Sequence, residues 1–211
     1  MDKELVFEIV NSLFLNEYSG HDIWHTLRVT ELAVRLAKEE RADEEVVWLA
    51  AMLHDVDDAK LSPSTCRNKT RAREIMSACG ADADVIETVC RIIGEVSFRG
   101  KDSVVPSTIE GKCVQDADRL DALGAIGVAR TFAYGGSRSR PMYVPGESIG
   151  KDMTEAEYRA RNSSSVAHFY EKLFLLKDMM NTPAAKRIAA ERDSFMHRFI
   201  DEFLSEWEGK R

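Results

Sequence analysis

Two of the chain's five histidines, His21 and His25, stand four residues apart in His21–Asp22–Ile23–Trp24–His25. Residues at that spacing share one face of a helix, so both imidazoles point the same way. A third histidine opens an acidic run in Ala50–Ala51–Met52–Leu53–His54–Asp55–Val56–Asp57–Asp58, where small and apolar residues give way to one imidazole and three carboxylates. Ending a greasy helix with such groups is costly unless a positive charge sits among them, and the next Lys or Arg is Lys60. Gln115–Asp116–Ala117–Asp118–Arg119–Leu120–Asp121 is a second acidic cluster inside an otherwise apolar helix. One histidine from the first group, the His54–Asp55 pair and one acid from the last would offer two nitrogen and two oxygen ligands. That mixed set suits a borderline divalent ion such as Mn, Fe, Co, Ni or Zn, whereas Ca and Mg prefer oxygen alone. Two carboxylates cancel the ion's charge, and four protein ligands leave an octahedral ion two positions for water and a phosphate oxygen. Adjacent helical residues diverge by about 100°, so His54 and Asp55 can share one ion only near a helix end.

Helices must bring these groups together. Leu5, Val6, Ile9, Val10, Leu13 and Phe14 recur at helical spacing and predict a helix over about 2–16. A second is expected from about His21 to Lys38. Asp43 caps a third that climbs through Val46, Val47, Leu49 and Leu53 to His54. Residues 57–69 read as loop, and helices resume at about 70–79, 83–97 and 107–122, with Gly80 and Gly100 as stops. Gly124–Ala125–Ile126–Gly127 is small enough to let another element approach closely. Residues 134–153, with four glycines and two prolines, are expected to form one long irregular segment, a length that tends to be functional or disordered. Two long helices, about 154–179 and 183–208, complete the chain, broken at Asn181–Thr182–Pro183. No stretch alternates like a strand, so the expected class is all-α in one domain spanning residues 1–211.

The net charge of −7 counts against a general affinity for nucleic-acid backbones, and a phosphate substrate would need a local cation. Cys66, Cys79, Cys90 and Cys113 form no CxxC pair and read as reduced thiols. The start, Met1–Asp2–Lys3–Glu4, leads into an amphipathic segment unlike a signal peptide, and no run approaches the roughly 18 apolar residues of a membrane span. A cytoplasmic protein with no membrane partner is expected. Oligomeric state is open, a homodimer included.

Read together in this order, the three groups resemble the HD-domain superfamily of metal-dependent phosphohydrolases, whose pattern is H…HD…D. The segments His21–Val29, Leu49–Asp55 and Val114–Phe132 are similar to its bacterial YedJ/YpgQ-type branch, over roughly residues 15–180, with the helix at about 183–208 packed on that core. The resemblance implies His25 as first metal ligand, His54 and Asp55 as the pair, and Asp118 as the fourth, with Asp116 the competing choice. It implies manganese first among the candidate ions and a nucleotide or other phosphate ester as substrate. A metal-activated water would attack phosphorus, with Asp58 as general base one turn after His54 and Asp55 beside it. Lys60, Arg28 and Arg119 are the cations expected to grip phosphate. His21 is expected on the substrate side or behind a ligand, and Asp121 against a ligand histidine or the substrate.

Cleavage of a nucleoside triphosphate to monophosphate and pyrophosphate is the leading expectation. A nucleoside 5′-monophosphate phosphatase is the alternative within enzymes, and a non-catalytic, metal-stapled nucleotide-binding module the alternative outside them. Residues 56–117 contain no histidine, which favours a single ion, and Glu95 stands where some relatives place a histidine near the pocket. Trp24 and Trp48 are expected in the core. Tyr134 and Tyr143 are expected in packing ahead of base stacking, and His168 and His197 in structural roles.

Overall fold

The computed structural model describes residues 1–15, 22–58, 64–97 and 102–211. Every regular element among them is helical: α1 (Lys3–Leu13), α2 (Ile23–Glu40), α3 (Glu44–Leu53), α4 (Thr70–Ala78), α5 (Ala83–Val96), α6 (Ile109–Asp121), α7 (Gly124–Ser137), α8 (Glu155–Ala160), α9 (Ser165–His168), α10 (Phe174–Leu176) and α11 (Pro183–Trp207). The chain is all-α, as its periodicity predicts. It divides into two compact units, Met1–Ser97 with Val104–Asp118, and Phe98–Ser103 with Arg119–Arg211.

The first unit is built around α3. Val47, Leu49, Ala50, Ala51, Met52 and Leu53 are all buried there, because neighbours cover this helix on more than one side. α2 packs on it through a stripe that includes Val29, Ala33, Leu36 and Ala37, and α5 packs on it with Val89, Ile92, Ile93 and Val96 among its buried residues. α1 lies against α3 and α4. Helix starts are fixed by acids that accept the otherwise unpaired first-turn amides. Asp2 accepts from Glu4 and Leu5, and Asp43 accepts from Glu45 at 2.9 Å and Val46 at 3.1 Å. The Asp43 amide in turn donates to Glu110 Oε1 at 3.2 Å, tying the start of α6 to the start of α3.

α4 lacks such a local cap. Lys69 precedes it at φ 52°, and no side chain of its own turn serves its amides. Asp57 does so from a distance: fully buried, it accepts from Ala72 N at 2.9 Å and Arg71 N at 3.3 Å. Gln115 is fully buried too. Its amide donates to the carbonyls of Glu95 and Val104, both at 3.0 Å, and so fastens the end of α5 to the strand of chain that leads into α6.

In the second unit, Phe132 of α7 contacts Phe169, Phe199 and Phe203, and Tyr143 meets Phe203 and Trp207 edge-on. α11 buries Ala185, Ala189, Met196 and Ile200 at helical spacing. The close approach of another element expected near 124–127 is at Gly124, φ 71°, where a Cβ would stand 3.0 Å from Arg192 Cγ of α11. A Cβ on Gly127 would stand 2.1 Å from the Ala122 carbonyl oxygen, and one on Gly135 would stand 2.2 Å from Ser165 Oγ.

Two expectations fail here. α7 continues through Gly135 and Gly136 to Ser137, so the irregular segment begins at 138 instead of 134. The single helix expected over 154–179 is interrupted. α8 ends at Ala160, residues 161–164 are not helical, and a π-helical turn, Phe169–Leu173, separates α9 from α10. Ser164 is responsible for the restart, accepting the Ala167 amide at 3.1 Å. The π turn carries Glu171, which is buried and accepts from Ser163 Oγ at 2.6 Å, Gly150 N at 3.1 Å and the Arg161 guanidinium.

Candidate metal centre and its neighbours

His25 lies in the first turn of α2, its amide held by Asp22 Oδ1 at 2.7 Å. His54 follows Leu53, the last residue of α3, and Asp55 stands in the turn beyond. This is the helix-end position that two adjacent ligands require. Asp118 comes from α6. The four side chains meet. Asp55 Oδ2 is 3.2 Å from His54 Nε2 and 3.6 Å from His25 Nε2, while Asp118 Oδ1 is 3.5 Å from His25 Nε2 and 4.0 Å from His54 Nε2. The imidazole rings are edge to face with centroids 5.3 Å apart. One ligand atom from each of His25, His54 and Asp55 falls within 4.8 Å of the others. All three residues are buried, and the Asp118 side chain is 28% exposed, so the cluster has one side toward solvent.

His54 provides the test of whether an ion fits. Its Nδ1–H donates to the Ala51 carbonyl at 2.7 Å, which leaves the lone pair on Nε2. Nε2 is buried and makes no hydrogen bond, yet it faces two carboxylates. A lone pair against anions is repulsive until a proton or a cation lies between them. Burial disfavours a charged imidazole here, but Asp55, with help from Asp118 and the Ala51 carbonyl, outweighs it and pushes His54 up to about 9. Burial likewise works against ionised Asp118, and the two histidines overcome it, holding the carboxyl down to about 2. The cluster therefore demands positive charge, and two nitrogens with two carboxylates suit a divalent ion.

Other expected site residues are placed variously. Asp58 is half-buried, and its amide donates to the Asp55 carbonyl at 3.0 Å. Arg28 is half-buried one turn after His25. His21 and Lys60 lie outside the described residues. Arg119, expected on phosphate, is buried with its Nη1 donating to the Met179 carbonyl. Asp121 is buried against Arg130, Oδ2 to Nη1 2.6 Å. Asp116, the competing fourth ligand, stands 200° around α6 from Asp118 and is completely buried. Glu95 accepts from the Ser107 amide and hydroxyl at 3.0 and 3.1 Å, a bond within the fold.

Among the aromatics, Trp24 is not in the core; it is 67% exposed. Trp48 is half-buried with Lys3 Nζ 5.1 Å from its ring centre. Tyr134 packs between the Arg138 and Arg140 guanidinium groups, and Tyr143 packs on Trp207. His197 stacks on Phe174 at 3.9 Å, and burial, reinforced by nearby Lys172 and Arg140, pushes His168 down to about 3. Asp57 was no candidate on sequence grounds, because its partners are fourteen and fifteen residues away. Only the acidic run itself marked the place.

A profile of the HD domain matches residues 23–123, the span that holds all four clustered side chains. The Bacillus subtilis protein YpgQ is 38% identical over 193 residues, covering 90% of this chain and 86% of its own. The chain belongs to the HD-domain family. Solved structures agree along nearly the whole length. A Lactobacillus plantarum protein is 37% identical with TM-score 0.86, covering 98% of this chain and 96% of its own. A Bacillus thuringiensis HD-superfamily hydrolase is 39% identical with TM-score 0.76, covering 97% and 96%. YpgQ in complex with ADP superposes with TM-score 0.75 at 36% identity, covering 97% of each chain. The HD domain is a metal-dependent phosphohydrolase fold, and this HD-domain protein is an enzyme of that class. No helix among its described residues is long and apolar enough to cross a membrane.

Proposed function

We propose that this HD-domain protein is a nucleotide phosphohydrolase that holds one divalent ion, manganese first, through His25, His54, Asp55 and Asp118. Its reaction is cleavage of a nucleoside triphosphate to monophosphate and pyrophosphate. One observation carries the reading: a buried imidazole nitrogen that makes no hydrogen bond faces carboxylate oxygens at 3.2 and 4.0 Å, in a cluster with one side toward solvent. The ADP bound to YpgQ supports a nucleotide as ligand.

When bound, the ion supplies positive charge against phosphate oxygens and acidifies a nearby water. The chain's own residues do the rest. Asp58, at the end of the turn that follows His54, accepts the proton of the attacking water. Asp55 holds its carboxylate between the two histidines and keeps their nitrogens turned inward. Arg28, one turn from His25, neutralises charge that spreads over the phosphate oxygens. Lys60 is assigned the same role, and His21 a part in contacting substrate or backing a ligand, both from their sequence positions alone. Arg119 and Asp121, bonded to Met179 and Arg130, are assigned to holding the end of α6 and the turn after it.

The deciding experiment loads the purified protein with manganese and offers nucleoside tri-, di- and monophosphates, with phosphate and pyrophosphate measured separately. Pyrophosphate from triphosphates is the expected result. Phosphate from monophosphates alone would replace this reading by the phosphatase alternative. Binding of metal and nucleotide without turnover would leave a binding module.

A further inference from the structure

Trp24 is left unexplained by the fold and by the metal centre. An indole is among the largest apolar surfaces a chain can bury, yet this one is 67% exposed while its neighbour His25 is 1% exposed. Helical geometry says what it stands beside. With Trp24 at 0° on α2, Arg28 lies at about 40° and His25 at about 100°, so positions 24, 28 and 25 make a strip that crosses the first turns of the helix from its exposed side to its buried side. Trp24 and Arg28 are about 6 Å apart along the axis, the scale of a ribose between base and phosphate. The Asp22 cap on the His25 amide fixes the strip where the chain enters the helix.

We propose that Trp24 is the stacking platform for the substrate's base, with the phosphates running along the strip toward Arg28 and His25. This rests on the nucleotide reading above and deepens it. Every base presents a π face to an aromatic ring, so a platform of this kind holds the nucleoside without selecting strongly among bases.

The test compares the manganese-loaded parent with Trp24→Ala and Trp24→Phe, measuring KM and kcat for a nucleoside triphosphate and the inhibition constant of inorganic tripolyphosphate, a competitor with no base. Trp24→Ala is expected to raise KM about 5- to 100-fold, to move kcat far less, and to leave inhibition by tripolyphosphate where it was. Trp24→Phe, which keeps a ring, recovers most of the loss. Because the side chain is exposed, thermal unfolding of both variants stays close to the parent. An unchanged KM in Trp24→Ala overturns the inference alone, since the parent still cleaves nucleotides. Equal weakening of nucleotide and tripolyphosphate overturns it as well, by giving Trp24 a role in shaping the site. A dimeric parent that becomes monomeric in Trp24→Ala, with KM unmoved, assigns the indole to a second copy instead. A parent that turns over no nucleotide defeats the function proposed above, and this inference with it.

Discussion

Replacing Asp57 by alanine asks how much a single buried carboxylate holds in place. Its two oxygens accept from Ala72 N at 2.9 Å and Arg71 N at 3.3 Å, at the start of a helix whose N-cap residue, Lys69, makes no side-chain cap bond. A buried amide left without its partner costs about 1–3 kcal/mol, more where the lost partner was charged. The helix-end field adds up to about 1 kcal/mol, and relief from burying a charge offsets part of the sum. A net loss of about 3 kcal/mol follows. At about 2–4 °C per kcal/mol for a chain of this size, Tm falls by about 6–12 °C. Asp57→Asn keeps one acceptor and should lose about half as much. Because Asp57 lies two residues after Asp55, manganese affinity measured by calorimetry falls in the same order, Asp57→Ala below Asp57→Asn below parent. Differential scanning calorimetry with and without metal reads both effects. An alanine variant melting within about 2 °C of the parent would show that α4 starts without this bond, and the reasoning would be refuted.

His54→Ala and Asp55→Ala should lose metal and turnover together, measured by elemental analysis after dialysis alongside the hydrolysis assay. Asp58→Asn should retain metal and lose about 10²–10⁴-fold in kcat, the usual worth of a general base; full activity in metal-free Asp55→Ala would end the mechanism. In metal-free protein His54 titrates near 9, above its ordinary 6.5. Its contribution to stability is therefore complete below about pH 6.5 and is lost as pH rises through 9, by about 3 kcal/mol if the whole shift is realised. Urea titrations in chelator at pH 6.5 and 9 should show the fall, and the same fall in His54→Ala would assign it elsewhere. His168, held down to about 3, behaves oppositely: its neutral form supports the fold above 6.5, and that support is lost as pH drops toward 3. His168→Gln should flatten the acid limb of the unfolding profile.

Helices whose apolar residues recur every three or four positions were legible to within a few residues. α4, α5 and α11 begin at 70, 83 and 183 as their patterns predict. Where the pattern was blurred, the reading failed for a local reason. Asn162–Ser163–Ser164–Ser165 offers side chains that compete for backbone hydrogen bonds, and there the expected long helix breaks. The glycines at 135 and 136 argued for loop, but close contact with Ser165 gives Gly135 a reason to be small inside a helix. At the centre, residue types and order pointed to one histidine of the first group, the His54–Asp55 pair and one acid of the last; the resemblance to the HD family singled out His25 and Asp118, and the structure brings those four side chains together. What could not be read were partners far away in sequence, such as Asp57 with α4 and Arg119 with Met179, and the outward turn of Trp24, which helical periodicity had assigned to the core.

The aim of His54 is set by the carbonyl of Ala51, a group every amino acid possesses. Ala51 is fully buried, so few side chains fit at that position, but whichever one does leaves the acceptor in place. The orientation is inherited from the peptide unit itself, and losing it requires unwinding the last turn of α3 or mutating the histidine. A lineage descending from this chain could reshape its substrate preferences through exposed residues while this one angle stayed fixed.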